Sequence, residues 1–226
     1  MLHKTRGIVL GYVRYRETSI VLRAYTEAFG IQGYVVNSVR SAKTKTGMGM
    51  FQPLSLLEMV VYHKTDSGLN RISEIRSARP WTDIPFSASK TATAMFLAEL
   101  LGKLLKEESA NEELFHFLFS SLEYLDLMRI QPENFHLHFM LGLASVMGVA
   151  PSSPLDILPL PTRNIADYHA AVAAFDTMMQ NGFGAELQIN TAIRRIMLDG
   201  MLNWYNLHYH IGELNSPAVF REINEG

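Results

Sequence analysis

The sequence predicts an α+β chain, a five-stranded antiparallel barrel followed by an all-helical C-terminal domain. Three observations carry this reading. Short segments rich in β-branched and aromatic residues recur through residues 1–79 with no helix between them. Beyond the stiff linker Arg79-Pro80-Trp81-Thr82-Asp83-Ile84-Pro85, apolar residues return every three or four positions through residues 80–226. Charge divides at the same place. Residues 1–80 hold 12 Lys/Arg and 5 Asp/Glu (net +7), and residues 81–226 hold 8 and 17 (net −9). With 226 residues, 48% hydrophobic and 19% charged, the chain has ample material for a packed core.

Residues 7–13 and 19–25 read as the first two strands, joined by the polar turn Tyr15-Arg16-Glu17-Thr18. Thr26-Glu27-Ala28-Phe29-Gly30 turns the chain into a third strand at 33–36. A polar, Gly-containing stretch over 38–49 precedes the fourth strand at 54–62. Asp66-Ser67-Gly68 supplies a hairpin turn into 71–75, whose alternation is that of a half-buried strand. Five short strands in so small a span point to the oligonucleotide-binding (OB) type of barrel.

Met95, Leu97, Leu100, Leu101, Leu104 and Leu105 set the period of the first helix. Ser109 with Glu112 reads as a capping box before a helix over 114–127. A third helix spans about 135–147 and stops at Gly148. Pro151, Pro154, Pro159 and Pro161 mark an extended crossover over 149–165. Residues 166–179 follow as a helix, 185–211 as one long helix, and Ser216-Pro217 as the start of a last one.

Several functions are excluded or disfavoured. There is no cysteine, so there is no disulfide, thiolate metal site or cysteine nucleophile, which fits an intracellular protein. The charged N-terminus lacks the pattern of a signal peptide. The longest apolar run, 54–62, is far short of the roughly 18–20 residues that span a bilayer. No nucleophile-elbow, zinc-protease, Walker or Rossmann pattern occurs, so neither an enzyme nor a cofactor is expected. His136 with His138, and His208 with His210, sit two apart on predicted helices and point about 200° away from each other, which prevents joint chelation. The expectation is one packed and one partly exposed histidine per helix, with no metal.

The cations of the barrel carry the functional signal. Arg40, Lys43 and Lys45 fall in the polar 38–49 stretch, where a loop cannot bury them. Lys4, Arg6, Arg14, Arg16 and Arg23 form a second tier, interleaved with Tyr12, Tyr15, Tyr25 and Tyr34. Single-stranded nucleic acid is held by such a mixture, cations following phosphates while aromatic faces stack bases. Tyr34 is included among the candidate contacts. An RNA-binding module, or a scaffold for an acidic protein, would share these electrostatics.

Gly7-Ile8-Val9-Leu10, Tyr15-Arg16-Glu17-Thr18-Ser19 and Tyr25-Thr26-Glu27-Ala28-Phe29-Gly30, taken in order, resemble the N-terminal signature of the RecO family of bacterial recombination mediators. Asn37-Ser38-Val39-Arg40, the stretch from Phe51-Gln52-Pro53 to Glu58, Phe96-Leu97-Ala98-Glu99-Leu100-Leu101 and Leu141-Gly142-Leu143 extend the resemblance over most of the chain. It implies an OB-fold domain followed by a helical one, and a cytoplasmic, nucleoid-associated role in RecF-pathway DNA repair. It further implies binding of single- and double-stranded DNA, strand annealing, and loading of RecA with RecR onto DNA coated by single-strand-binding protein (SSB). RecR would dock on the barrel and the acidic C-terminal tail of SSB on the helical domain. Many relatives carry a four-cysteine zinc module after the third helix; this chain has Pro151-Ser152-Ser153-Pro154 there, so zinc is not implied. Glu133-Asn134 and Pro217 stand where some relatives have arginines, leaving Arg129, Arg194 and Arg195 as candidate members of a basic pocket for the tail.

Overall fold

The computed structural model describes residues 1–37, 39, 47–64, 68–129, 132–158 and 164–225. Strands β1 (Leu2–Tyr15), β2 (Ser19–Thr26), β3 (Gly30–Val36), β4 (Leu56–Tyr62) and β5 (Asn70–Arg79) close a barrel in the order β1-β2-β3-β5-β4. Every pairing is antiparallel except β3–β5, which runs parallel through Tyr34–Asn70 and Val35–Arg71. The expected all-antiparallel barrel is therefore corrected at one seam, for a reason of parity. Directions that alternate around a ring of five strands must match once. Strand β1 also begins earlier than the residue pattern suggested, because Leu2 to Arg6 pair with Tyr62 to Glu58 of β4. The polar outward residues Lys4 and Arg6 hid that pairing.

Alternation along the strands serves two cores. Val9, Leu22, Tyr34, Phe51, Leu57 and Met59 fill the barrel. Ile8, Leu10, Tyr25, Ile31, Leu54 and Leu56 point outward and join the core of the helices. One outer face of the barrel is thus part of the helical domain's interior.

The helices are α1 (Ala88–Leu104), α2 (Glu112–Leu127), α3 (Phe135–Val146), α4 (Pro154–Ile157), α5 (Ile165–Asn181), α6 (Thr191–Tyr209) and α7 (Ser216–Glu225). Helix α2 is capped by Asn111, whose side chain accepts from the Leu114 N–H, in place of the expected Ser109–Glu112 box. The predicted 185–211 helix starts only at Thr191, where Asn190 caps it. In the crossover, Ser153 and Asp156 form a capping box around the single turn α4. The histidines also differ from expectation. His136 and His138 are both buried because the first half of α3, Phe135 to Met140, is covered on all sides, whereas His208 and His210 are both exposed near the end of α6. Among the described residues, no helix is long and apolar enough to cross a membrane, and no group of His, Cys, Asp and Glu is arranged to hold a metal ion.

A buried polar network fixes the linker. The Asp126 carboxylate accepts from the backbone N–H groups of Thr82, Asp83 and Ile84 and from the Thr82 hydroxyl, at 2.7–3.1 Å. Lys90, only 2% exposed, donates to the Asp126 and Met128 carbonyls and pairs with Asp83 at 2.6 Å. All three ammonium protons are used, which is what permits its burial. Burial alone would raise the Asp126 pKa, but the donors at Ile84, Thr82 and Asp83 outweigh it and hold the carboxyl below the usual range. Glu99 behaves alike, accepting from Asn215 and Ser216 at the start of α7.

A carboxyl whose pKa is lower folded than unfolded stabilises the fold at neutral pH, and that stability is lost as pH falls through the folded value. Urea unfolding between pH 7 and pH 3 should therefore show stability falling below about pH 4. Asp126→Asn should cost about 2–4 kcal/mol at pH 7 and show a shallower loss on acidification. An unchanged acid limb in that variant would contradict this role.

Candidate nucleic-acid interface

The cations of the barrel divide by what surrounds them. Arg6 and Arg23 border the face given to the helices. The Arg6 guanidinium donates to both Glu27 carboxylate oxygens at 2.6 and 2.9 Å and lies 5.2 and 4.9 Å from the ring centroids of Phe115 and Phe119 on α2. Hydrogen bonding to Glu27 raises the Arg6 pKa and lowers that of Glu27. Arg23 donates to the Leu105 carbonyl at 3.3 Å, against the negative end of α1. Both sequence candidates thus brace the barrel on the helices.

Gly30 explains why the third signature segment ends as it does. The Thr26 hydroxyl donates to the Gly30 carbonyl and accepts from the Phe29 N–H, closing the turn. Gly30 has φ +63°, and a Cβ there would lie 2.4 Å from the Ser109 carbonyl oxygen and 2.5 Å from that of Glu107. The Ile31 N–H donates to that same Glu107 carbonyl.

On the outer face of β1, β4 and β5, Lys4, Arg6 and Arg76 line a groove of about 520 Å³ together with Glu27, Glu58 and Glu74. Arg76 is paired with Glu58. Three carboxylates against three cations leave this groove without net charge, so it offers little to a polyphosphate.

The β1–β2 hairpin is different. Arg14 and Arg16 are exposed, and among the described residues neither has an ion-pair partner. Arg16 sits 5.1 Å from the Tyr15 ring and holds φ +54°. Tyr12, 39% exposed, lies on the same strand. A row in register, Val13–Val21–Val35–Arg71, crosses four strands on the outer face. Val13 is 65% exposed, and Arg71 is exposed at the end of the row. Arg71 was not singled out from sequence, although its place in an alternating strand put it on the outer face.

Tyr34 requires a correction. It is fully buried in the barrel core, with its pKa pushed up to about 12 by burial, and has no face for a base. Tyr25 is buried likewise against the helices. In a barrel this small the large rings are needed as filling. Arg40, Lys43 and Lys45 lie outside the described residues, as does the predicted turn at Asp66-Ser67.

The basic-pocket candidates do not behave alike. Arg194 is buried and donates to Asn134 at 2.9 Å, with Glu133 4.0 Å away. That removes it from the accessible surface. Arg129 pairs with Asp83 at 2.8 Å, so it belongs to the linker network, and Arg195 is exposed on α6.

Comparison with known proteins agrees with this architecture. Residues 1–81 match the family model "Recombination protein O N terminal", and residues 86–153 match "Recombination protein O C terminal". The boundary falls in the linker held by Asp126. "DNA repair protein RecO" of Christiangramia forsetii is 34% identical over 100% of this chain and 99% of its own length. The proteins of that name from Bacteroides fragilis and Phocaeicola vulgatus are 38% and 37% identical over 75% and 68% of this chain, and the matches span 65% and 64% of their lengths. The chain belongs to the RecO family.

Gly30→Ala should lower stability by at least about 2 kcal/mol, combining an unfavourable left-handed backbone with displacement of two carbonyls. Urea unfolding measures it. A loss below about 0.5 kcal/mol, the ordinary range for surface changes, would contradict the close approach described.

Proposed function

We propose that this protein is a DNA repair and recombination mediator that works by binding rather than by catalysis. It holds single- and double-stranded DNA on the basic barrel, anneals complementary strands, and acts with RecR in loading RecA onto DNA coated by SSB, in the cytoplasm on the nucleoid. Family membership supports the repair role, since full-length relatives carry the name "DNA repair protein". The observation that carries the binding mode is the exposed row from the Arg14–Arg16 hairpin to Arg71 on a closed barrel.

Phosphates are held by Arg14, Arg16 and Arg71, with Arg40, Lys43 and Lys45 adding charge by their place in the sequence. Tyr12 and Tyr15 offer ring faces, and the valine row offers apolar contact to sugars and bases. Annealing follows from charge. A cationic surface lowers repulsion between two strands until base pairing takes over.

If about 3–5 phosphates are neutralised, affinity for a single-stranded oligonucleotide should fall about 10–100-fold between 50 and 200 mM salt. Replacing Arg14, Arg16 and Arg71 together by alanine should reduce the slope of log affinity against log salt by about 2. Arg76→Ala, already paired with Glu58, should leave it nearly unchanged. Fluorescence anisotropy measures both. An unaltered slope in the triple variant would remove this face from the binding site, and absence of salt-sensitive oligonucleotide binding with a protein partner retained would favour a scaffold for an acidic protein instead.

A further inference from the structure

The outward row Val13–Val21–Val35–Arg71 does not end at β5. Arg71 is paired in register with Tyr62 of β4, and Tyr62 with Leu2 at the start of β1, so the row runs on across the closed barrel. Strand alternation fixes its direction. Val61 is fully buried and Ile72 packs against the barrel core, so Tyr62 and Arg71 beside them point to the outside. Tyr62 is 48% exposed and Leu2 50%, and Arg71 is exposed between Tyr62 and the half-buried Val35.

This row differs from the outward positions next to it. Glu58 is taken by Arg76, and Lys4 shares its groove with Glu27, Glu58 and Glu74. The row itself carries one cation, one aromatic ring and four aliphatic side chains, with no carboxylate. Among the described residues Arg71 forms no ion pair and the Tyr62 ring has no ring contact. Directly opposite residues on neighbouring strands begin about 5 Å apart, so a guanidinium and a ring at these places can meet the phosphate and the base of one nucleotide. A polyanion with free ring faces uses both side chains, whereas an acidic peptide uses Arg71 alone. Duplex DNA also falls short, because its bases are stacked on one another and it offers phosphates to Arg71 but no face to Tyr62.

We propose that Tyr62 stacks a base of single-stranded DNA whose phosphate rests on Arg71, and so makes this surface discriminate single strands from duplex. This rests on the nucleic-acid reading above and adds the residue that sets the preferred form. Base pairing withdraws the stacked base, so the annealed duplex loses that contact and is released more readily. The test measures binding of the full chain, by fluorescence anisotropy at one salt concentration, to a single-stranded oligonucleotide, its duplex and an abasic strand of equal length. Tyr62→Thr keeps a strand-forming residue without a ring, and should bind the single strand about tenfold more weakly. Its affinity for the duplex and the abasic strand should stay within about twofold of wild type, since the cations are untouched. Tyr62→Phe should bind all three like the wild type. Unchanged single-strand affinity in Tyr62→Thr, or a loss shared equally by the duplex, would overturn the proposal. Equal wild-type affinities for the intact and abasic strands would overturn it without any variant. If the Arg14, Arg16 and Arg71 replacements flatten the salt slope while Tyr62→Thr changes nothing, the surface stands and this role of Tyr62 falls. If neither has an effect, both fall.

Discussion

The barrel and the helices share one apolar core, and this constraint governs the rest of the molecule. Ile8, Leu10, Tyr25, Ile31, Leu54 and Leu56 leave the barrel surface and enter the same cluster as Phe96, Phe115 and Phe139. Burial of such side chains is worth roughly 1.5–3 kcal/mol each, so the contact is no loose tether between domains. Polar groups complete it at the edges: Arg6 with Glu27 on one side, Arg23 at the end of α1 on another, and Gly30 under the α1–α2 connection. Asp126 and Lys90 then fix the linker, so that β5 and α1 keep one relation to each other.

This constraint sorts the positive charge. Cations near the shared core are used for structure, and Arg76 and Arg79 of β5 pair with Glu58 and Glu123. Among the described residues of the barrel, the exposed arginines outside these contacts are Arg14 and Arg16 on the β1–β2 hairpin and Arg71 at the β3–β5 seam. The net charge of residues 1–80 therefore overstates what a polyanion meets. On the proposed reading the field comes from a few arginines on one face, beside the exposed Val13, two half-buried valines and two tyrosines.

Much of the fold was legible because strand and helix periods differ so clearly on either side of Arg79. The parallel seam was not, since it follows from closing an odd ring and not from any residue. The early start of β1 was hidden by outward polar residues, and the α2 cap was read at Ser109, two residues before Asn111. The site was harder. Arg6 and Arg14 look alike in sequence, and only the packing of α2 against the barrel gives one of them Glu27, Phe115 and Phe119. Tyr34 and Tyr12 likewise differ only in the direction they point from the sheet, and a single-residue change of register reverses that.

Hydrogen–deuterium exchange with and without a single-stranded oligonucleotide would test the division of the barrel surface most directly. Protection is predicted over residues 12–23, 33–36 and 69–72, with the 74–76 strand segment and the helices unchanged. Protection centred on the Lys4–Glu58–Arg76 groove or on the acidic helical surface, with the hairpin unaffected, would contradict the account.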